Sequence, residues 1–223
     1  MQKLEREGGH TLAYRASPGK GPGVIFLGGF LSDMEGTKAA ALEERCRAAG
    51  RAFVRFDYLG HGASSGRFEE GTIGRWAEDA VAVLDAVAEG PQVLVGSSMG
   101  GWIMLLAALA RPGRVAGLVG IAAAPDFTED LMWARFPEEV RERLRGGGTY
   151  HLPSEYDENP YPITGRLIEE GRGRLLLRGR IPIVCPVRLI HGMEDADVPS
   201  EVSLKLSEAL ESADVTVTLV KGG

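Results

Sequence analysis

The most restrictive feature of the sequence is a short apolar run that passes through a glycine-flanked turn into an almost wholly apolar helix. Residues 93–95 form the run, residues 96–100 read Gly-Ser-Ser-Met-Gly, and residues 102–110 carry no charge. A helix that is apolar on all sides is a buried one, and a short β-branched run is typical of a buried strand. The three pieces predict a strand, a sharp turn and a buried helix.

Further apolar runs alternate with stretches of helical periodicity along the chain. Strands are predicted at residues 24–27, 52–56, 115–124, 187–190 and 215–220, and helices at residues 37–49, 73–87 and 198–210. We also expect an edge strand at about residues 11–14. This alternation is typical of an α/β fold, in which helices cover both faces of a mostly parallel sheet.

The composition changes between residues 125 and 186, where charges cluster with a glycine triplet and with the prolines at residues 153, 160 and 162. We therefore expect an α/β core made of residues 1–124 and 187–223, with an inserted helical lid at residues 125–186. Leu131, Met132, Trp133 and Phe136 precede a charged stretch in this lid, and together they predict a helix with one apolar face. These side chains either line the functional site or only attach the lid to the core.

Composition and charge exclude several classes of protein. Lys plus Arg is 25 and Asp plus Glu is 31, and the absence of a basic cluster argues against a nucleic-acid partner. The longest apolar run is too short to span a membrane. The two cysteines lie far apart, and no metal or organic cofactor is implied. The first twenty residues show no signal or transit peptide, which predicts a cytoplasmic protein.

Ser98 is the predicted nucleophile. It occupies the centre of a Gly-Xaa-Ser-Xaa-Gly motif between the strand and the helix, where a strained turn projects a serine hydroxyl above the sheet. Gly96 and Gly100 satisfy the need for small residues on either side of the turn. The helix that follows points its N-terminus at the site and favours a developing negative charge. Ser97 is a competing candidate, but it lacks the glycine spacing.

A serine hydroxyl is a weak nucleophile, so the site also needs a base that a carboxylate orients. Residues 191–199 follow a predicted strand and contain three acidic residues, of which we select Asp195. Glu194 and Asp197 remain alternatives, and the segment could also be only an acidic loop before a helix.

Backbone N–H groups are the expected donors to the oxyanion. The turn at residues 28–30, Gly-Gly-Phe, ends the first core strand at the same edge of the sheet. We assign the N–H groups of Phe30 and Met99 as the donors. A glycine turn without a chemical role is the alternative.

Four segments together resemble the α/β-hydrolase family over nearly the whole chain: Gly-Gly-Phe, the Asp-x-x-Gly-His-Gly-x-Ser loop at residues 57–64, the Gly-x-Ser-x-Gly turn, and His-Gly-x-x-Asp-x-x-Val-Pro. Residues 30–38 and 159–164 resemble more narrowly the subfamily of α/β-hydrolase domain-containing protein 10. Its mitochondrial members cleave acyl-protein thioesters and acyl glucuronides, and its bacterial relatives lack the transit peptide. The resemblance implies Ser98 as nucleophile, Asp195 as the acid of a triad, and Phe30 with Met99 as oxyanion donors.

The catalytic histidine of this family lies in the loop after the last strand. None of the four histidines, His10, His61, His151 and His191, occupies that place. His191 is poorly placed to act as the base, because it lies on the same strand end as Asp195. His61 is the only serious substitute, although it comes in the wrong chain order, and both His61 and Asp57 are expected to be structural. We therefore expect the chain to lack its natural C-terminus and to expose apolar side chains along its last strand.

The leading functional hypothesis is a serine hydrolase that cleaves carboxylic esters or thioesters through an acyl-enzyme. Its substrates would be small molecules or acylated proteins. The alternative is a non-catalytic protein that binds a ligand on the same fold, since one architecture hosts many functions.

Overall fold

The computed structural model describes residues 1–153 and 160–223, and an eight-stranded sheet forms its centre. The strands are β1 (Gln2–Glu5), β2 (Thr11–Ser17), β3 (Lys20–Leu27), β4 (Arg51–Phe56), β5 (Gln92–Ser97), β6 (Val115–Ile121), β7 (Thr149–Leu152), β8 (Tyr161–Thr164), β9 (Val187–Gly192) and β10 (Val215–Val220). The sheet order is β1-β2-β4-β3-β5-β6-β9-β10, while β7 and β8 form a separate hairpin. Only the pairs β1/β2 and β2/β4 of the large sheet are antiparallel, which confirms a mostly parallel sheet.

Helices cover both faces of this sheet, as predicted. The helices of the structure are α1 (Thr37–Ala48), α2 (Ile73–Ala86), α3 (Met99–Ala110), α4 (Glu138–Arg145), α5 (Gly165–Arg172) and α6 (Glu201–Ala209), of which α4 and α5 belong to residues 125–186 and do not cover the sheet. Apolar side chains of α2, α3 and α6 join the larger core cluster on one face. On the other face, Ala39 and Cys46 of α1 pack with Phe26 and Phe53 of the sheet.

The apolar spacing of α2 explains its position. Trp76, Ala80 and Leu84 recur every four residues and are buried against α3 and the sheet. Thr72 precedes the helix, and its hydroxyl accepts a hydrogen bond from the N–H of Arg75 at 3.2 Å. Such a cap satisfies one of the unpaired donors at a helix start.

Two predictions of local structure are wrong. β2 is not the edge strand, because β1 pairs outside it; Leu4 is the only apolar residue in β1, so the sequence gives little sign of a strand there. The expected single lid helix is also interrupted. Residues Thr128–Met132 form a π-helical turn and Trp133–Arg135 a 3-10 turn, and Pro137 holds Phe136 extended before α4 begins.

Residues 125–186, which we call the cap segment, contact the sheet-bound helices through specific hydrogen bonds. The N–H of Gly74 in α2 donates to Glu170 of α5 at 2.8 Å. The indole of Trp102 in α3 donates to the carbonyl oxygen of Arg174 at 3.2 Å. A small apolar cluster of its own, with Phe136, Leu144, Ile163 and Ile168 buried, stabilises the segment. Asn159, part of the motif at residues 159–164, lies outside the described residues.

The last strands carry exposed apolar side chains. Ile190 of β9 is 40% exposed, and Leu219 and Val220 of β10 are 39% and 45% exposed. In the described parts of the chain, no helix has both the length and the apolar character needed to cross a membrane.

Candidate active site

Ser98 lies between β5 and α3 in a strained conformation. Its φ is 52° and its ψ is −119°, a region that residues with a side chain rarely adopt. Side chains at Gly96 and Gly100 would collide with backbone atoms, those of residues 100–101 in the first case and of Leu27 in the second. The glycines therefore let the turn close tightly and carry Ser98 above the end of the sheet.

A cavity of ≈ 730 Å³ opens at this turn, and Ser98 is part of its wall. Ser98 is half-buried, whereas the neighbouring Ser97 is only 8% exposed and is the last residue of β5. Within residues 1–153 and 160–223, the Ser98 hydroxyl makes no hydrogen bond, so it is not held away from a substrate.

The Gly-Gly-Phe turn lies directly beside the serine. A Cβ placed on Gly29 would lie 3.6 Å from the Cβ of Ser98, and Phe30 lines the same cavity. Neither the N–H of Phe30 nor that of Met99, the first residue of α3, donates a hydrogen bond to any described residue. Among the described residues these two N–H groups thus have no partner, and unpaired amide donors near a serine can stabilise an oxyanion.

Asp195 is held in the loop after β9. Its Oδ1 accepts the N–H groups of Asp197 at 3.0 Å and Val198 at 2.9 Å, which fixes the carboxylate in one orientation. The side chain is 24% exposed, and Oδ2 lies 3.9 Å from Nε2 of His191. Asp195 does not line the cavity, whereas Asp197 and Val198 do. The loop therefore reaches the cavity through Asp197 and Val198, while Asp195 is not part of the cavity wall.

His191 is buried, and both of its ring nitrogens are occupied. Nε2 lies 2.8 Å from the carbonyl oxygen of Val198, and Nδ1 lies 2.7 Å from the hydroxyl of Ser203. Because a carbonyl oxygen can only accept, Nε2 carries the proton and Nδ1 accepts from Ser203. His191 thus holds the Asp195 loop onto α6 and has no nitrogen free for Ser98.

His61 is also buried, at 3% exposure. Its Nδ1 lies 3.1 Å from the carbonyl oxygen of Leu59, and its Nε2 accepts the N–H of Leu31 at 3.3 Å. Burial lowers the pKa of His61 to about 4, so the ring is neutral near pH 7. Asp57 likewise accepts the N–H groups of Met34 and Ala63 and supports the loop from within.

The cap segment supplies most of the apolar wall of the cavity. Of the four residues that the sequence singles out, Leu131, Met132 and Phe136 line it, whereas Trp133 does not. Tyr150, Leu152 and Tyr161 of the β7–β8 hairpin line it as well, and sequence analysis missed them, because four-residue strands among prolines and charges show no clear periodicity. In the part of the chain that the structure describes, no cluster of three or more His, Cys, Asp or Glu side chains could hold a metal ion.

Comparison with known proteins identifies the family to which the chain belongs. Residues 22–167 match the α/β hydrolase fold family. The mitochondrial palmitoyl-protein thioesterase ABHD10 of Mus musculus is 48% identical over 214 residues, which cover 96% of this chain and 72% of that protein. The Homo sapiens protein of that name is 45% identical over 212 residues, covering 95% and 69%. The structure of mouse α/β hydrolase domain-containing protein 10 aligns with a TM-score of 0.91 at 46% identity, covering 100% of this chain and 89% of that one.

The names of these relatives contradict one expectation. Both curated thioesterases are named as mitochondrial proteins. The prediction of a cytoplasmic location, which relied on the absence of a targeting signal in the first twenty residues, is therefore wrong.

Proposed function

Because this chain belongs to the α/β-hydrolase family, we propose that it hydrolyses acyl thioesters and carboxylic esters through an acyl-enzyme on Ser98. One observation carries the proposal. The backbone of Ser98 is strained, and its half-buried side chain lines a cavity of ≈ 730 Å³. The nearby N–H groups of Phe30 and Met99 have no hydrogen-bond partner among the described residues. The names of relatives that are close to half identical support the same chemistry.

In the first step, a general base takes the proton of the Ser98 hydroxyl while the oxygen attacks the acyl carbonyl carbon, and the carbonyl oxygen takes up the negative charge. The N–H groups of Phe30 and Met99 donate to that oxygen, and the N-terminus of α3 adds a favourable dipole. The C–S or C–O bond then breaks, and the same base gives its proton to the leaving thiolate or alkoxide. Water then gives a proton to the base as it attacks the acyl-Ser98 ester, the base returns that proton to the Ser98 oxygen, and the acid is released.

Asp195 is the proposed acid of the triad. Two backbone N–H groups fix its Oδ1, while Oδ2 makes no hydrogen bond to the described residues, so Oδ2 can orient a base. Asp197 reaches the cavity and is the alternative. We assign the base to none of the four histidines, because His61 and His191 have both nitrogens occupied and the other two do not line the cavity.

The lining of the cavity favours an acyl chain. We propose that residues 125–186 form a cap whose apolar side chains receive it, together with Phe30 from the core: Phe127, Leu131, Met132, Phe136, Tyr150, Leu152 and Tyr161. Charged side chains of Lys38, Arg135 and Asp197 also line the cavity, and pockets that combine apolar side chains with polar groups typically bind small organic molecules. Relatives named for a palmitoyl-protein substrate are consistent with a fatty acyl group. The acylated partner would be a small thiol or alcohol, or a protein side chain.

A non-catalytic ligand-binding protein is not favoured. A binding site for an acyl chain needs neither a strained serine nor two open amide donors beside it, and strain of this kind is costly to maintain. The relatives are also named as enzymes.

Labelling by a fluorophosphonate probe, which reacts with activated serines, tests the proposal in the full-length gene product. We expect covalent labelling at Ser98, its loss in Ser98→Ala, and its retention in Ser97→Ala, the matched control from the same turn. Hydrolysis of a series of aryl esters and acyl thioesters should follow the same pattern. Labelling that persists in Ser98→Ala, or its absence from the natural protein, would contradict the assignment.

A paired substitution separates the two carboxylates. If Asp195 is the acid, Asp195→Asn should lower kcat by about 10⁴-fold, while Asp197→Asn should change it much less. The reverse order would assign the role to Asp197.

A further inference from the structure

The turn that carries Phe30 contains a second strained residue. Leu31 has a φ of 56°, although it is not a glycine. The N–H of Ser32 donates to the carbonyl oxygen of Gly29 at 3.2 Å, so residues 29–32 form a β-turn with Leu31 in its third position. A left-handed residue at that position is normally glycine, and a side chain there persists only where the surroundings hold it.

His61 holds this turn from beneath. The N–H of Leu31 donates to Nε2 of His61 at 3.3 Å, across 30 positions of sequence. Nδ1 lies 3.1 Å from the carbonyl oxygen of Leu59, which can only accept a hydrogen bond. The proton of the neutral ring is therefore on Nδ1, and Nε2 has its lone pair directed to Leu31.

The side chains of Phe30 and His61 both pack against the aromatic rings of Phe68 and Trp76. The ring of His61 lies 5.1 Å from both Phe68 and Trp76, edge to face. The ring of Phe30 lies 4.9 Å and 5.9 Å from the same two rings. One pair of aromatic rings thus positions the side chain of the oxyanion residue and the imidazole that binds the backbone next to it.

We propose that His61 is a positioning residue for the oxyanion hole: through Leu31 it fixes the orientation of the turn that presents the Phe30 N–H to the substrate. The inference rests on the proposed function, because it assigns His61 a role in that reaction. It gives His61 no proton to transfer. The Phe30 N–H stabilises the oxyanion only if it stays aligned with the carbonyl oxygen as negative charge develops. A small rotation of the turn should therefore lower kcat while leaving KM nearly unchanged.

Two substitutions separate hydrogen bonding from packing. His61→Phe keeps a ring between Phe68 and Trp76 and removes the acceptor for Leu31. His61→Gln removes the ring but places an amide oxygen at the reach of Nε2. Leu59 retains a donor in both variants, because the indole N–H of Trp76 donates to its carbonyl oxygen at 3.1 Å. His151→Phe, at an exposed histidine that does not line the cavity, is the control.

Steady-state hydrolysis of a short aryl ester by the full-length gene product measures the effect, with amide hydrogen exchange at Leu31 as a readout that needs no turnover. We expect His61→Phe to lower kcat about tenfold or more with KM within about twofold, and to speed exchange at Leu31. His61→Gln should recover much of kcat and of the protection, and His151→Phe should match the natural protein.

Different results would reject the positioning role of His61 and the proposed function of the protein. An unchanged kcat in His61→Phe, equal losses in the Phe and Gln variants, or unchanged exchange at Leu31 would reject the positioning role while Ser98 chemistry stands. Ester hydrolysis that persists in the Ser98→Ala variant would reject the proposed function itself and, with it, this role of His61. If His61→Phe does not fold, the His61→Gln arm still decides through kcat and exchange.

Discussion

The Cα of Gly100 packs on the backbone carbonyl group of Leu27, with no space for a Cβ between them. This contact joins the first turn of α3 to the end of β3, where the Gly-Gly-Phe turn begins. The position of the serine and the position of the oxyanion turn therefore depend on one close approach of backbone to backbone. That approach explains why even the methyl side chain of alanine does not fit at residue 100.

Gly100→Ala should accordingly destabilise the fold. A methyl group would overlap main-chain atoms that cannot move without shifting β3, and the expected loss is about 3 kcal/mol or more of unfolding free energy. Gly113→Ala is the matched control, because nothing lies within 4 Å of a Cβ there. Urea unfolding of both variants measures the difference. Equal stability of the two would show that α3 can move away from β3 freely.

The buried carboxyl of Asp79 should give the protein a distinct dependence on pH. Burial raises its pKa from the ordinary 3.8 to about 6, because the nearest guanidinium nitrogens, those of Arg6 and Arg75, remain 3.7 Å away. Because the pKa of Asp79 is higher in the folded state, proton binding to its carboxyl stabilises the fold. This stabilisation is fully present below pH 3.8 and is lost as the pH rises through about 6. The stabilisation lost between pH 4 and pH 7.5 is about 2–3 kcal/mol.

Asp79→Asn should remove this contribution. The unfolding free energy of the natural protein, relative to the variant, should rise by about 2–3 kcal/mol as the pH falls from 7.5 to 4. Other groups titrate in both proteins and cancel in this difference. Glu78→Gln changes an exposed neighbour on the same helix and should show no such trend. A difference that stays flat with pH would mean that Asp79 has an ordinary pKa.

Asp126 should be needed to hold the returning end of the cap segment. It is fully buried, has a φ of 61°, and accepts the N–H groups of Leu176 at 2.8 Å and Leu177 at 2.9 Å. Asp126→Ala leaves both donors without this partner, one of them buried, and should cost about 2–4 kcal/mol. Asp126→Asn tolerates the same backbone and keeps one acceptor, so it should lose less. Thermal unfolding ranks the three proteins, and an alanine variant as stable as the asparagine one would contradict the prediction.

The sequence predicts the features that follow from steric or periodic rules. The turn around Ser98 is predicted because only glycines fit at residues 96 and 100, and α2 because its apolar residues recur at helical spacing. β1 and the β7–β8 hairpin are missed, since strands of four residues with few apolar side chains leave no periodic signal.

The site is less predictable than the sheet, because its contacts join residues that are distant in sequence. The bond between Leu31 and His61 depends on a tautomer and on a positive φ, and neither can be read from residue types. In the loop after β9, Asp197 lines the cavity and Asp195 does not. Which of the two carboxylates reaches the cavity depends on the loop conformation, which the hydrogen bonds to the Asp195 carboxylate fix. Composition at residues 125–186 indicates an insertion but not which of its side chains face Ser98.

Leu131 should limit the length of the acyl chain. It lines the cavity from the π-helical turn and is half-buried, so Leu131→Trp places a larger ring where an acyl chain would lie. We expect kcat/KM for an octanoyl aryl ester to fall about tenfold or more while that for the acetyl ester stays within about twofold. Leu204→Trp makes the same change at a residue of α6 that is 43% exposed and outside the cavity wall, and it should affect neither substrate. Unchanged hydrolysis of the octanoyl ester by Leu131→Trp would place the acyl chain elsewhere, because a larger ring in the cavity wall hinders any chain that passes it.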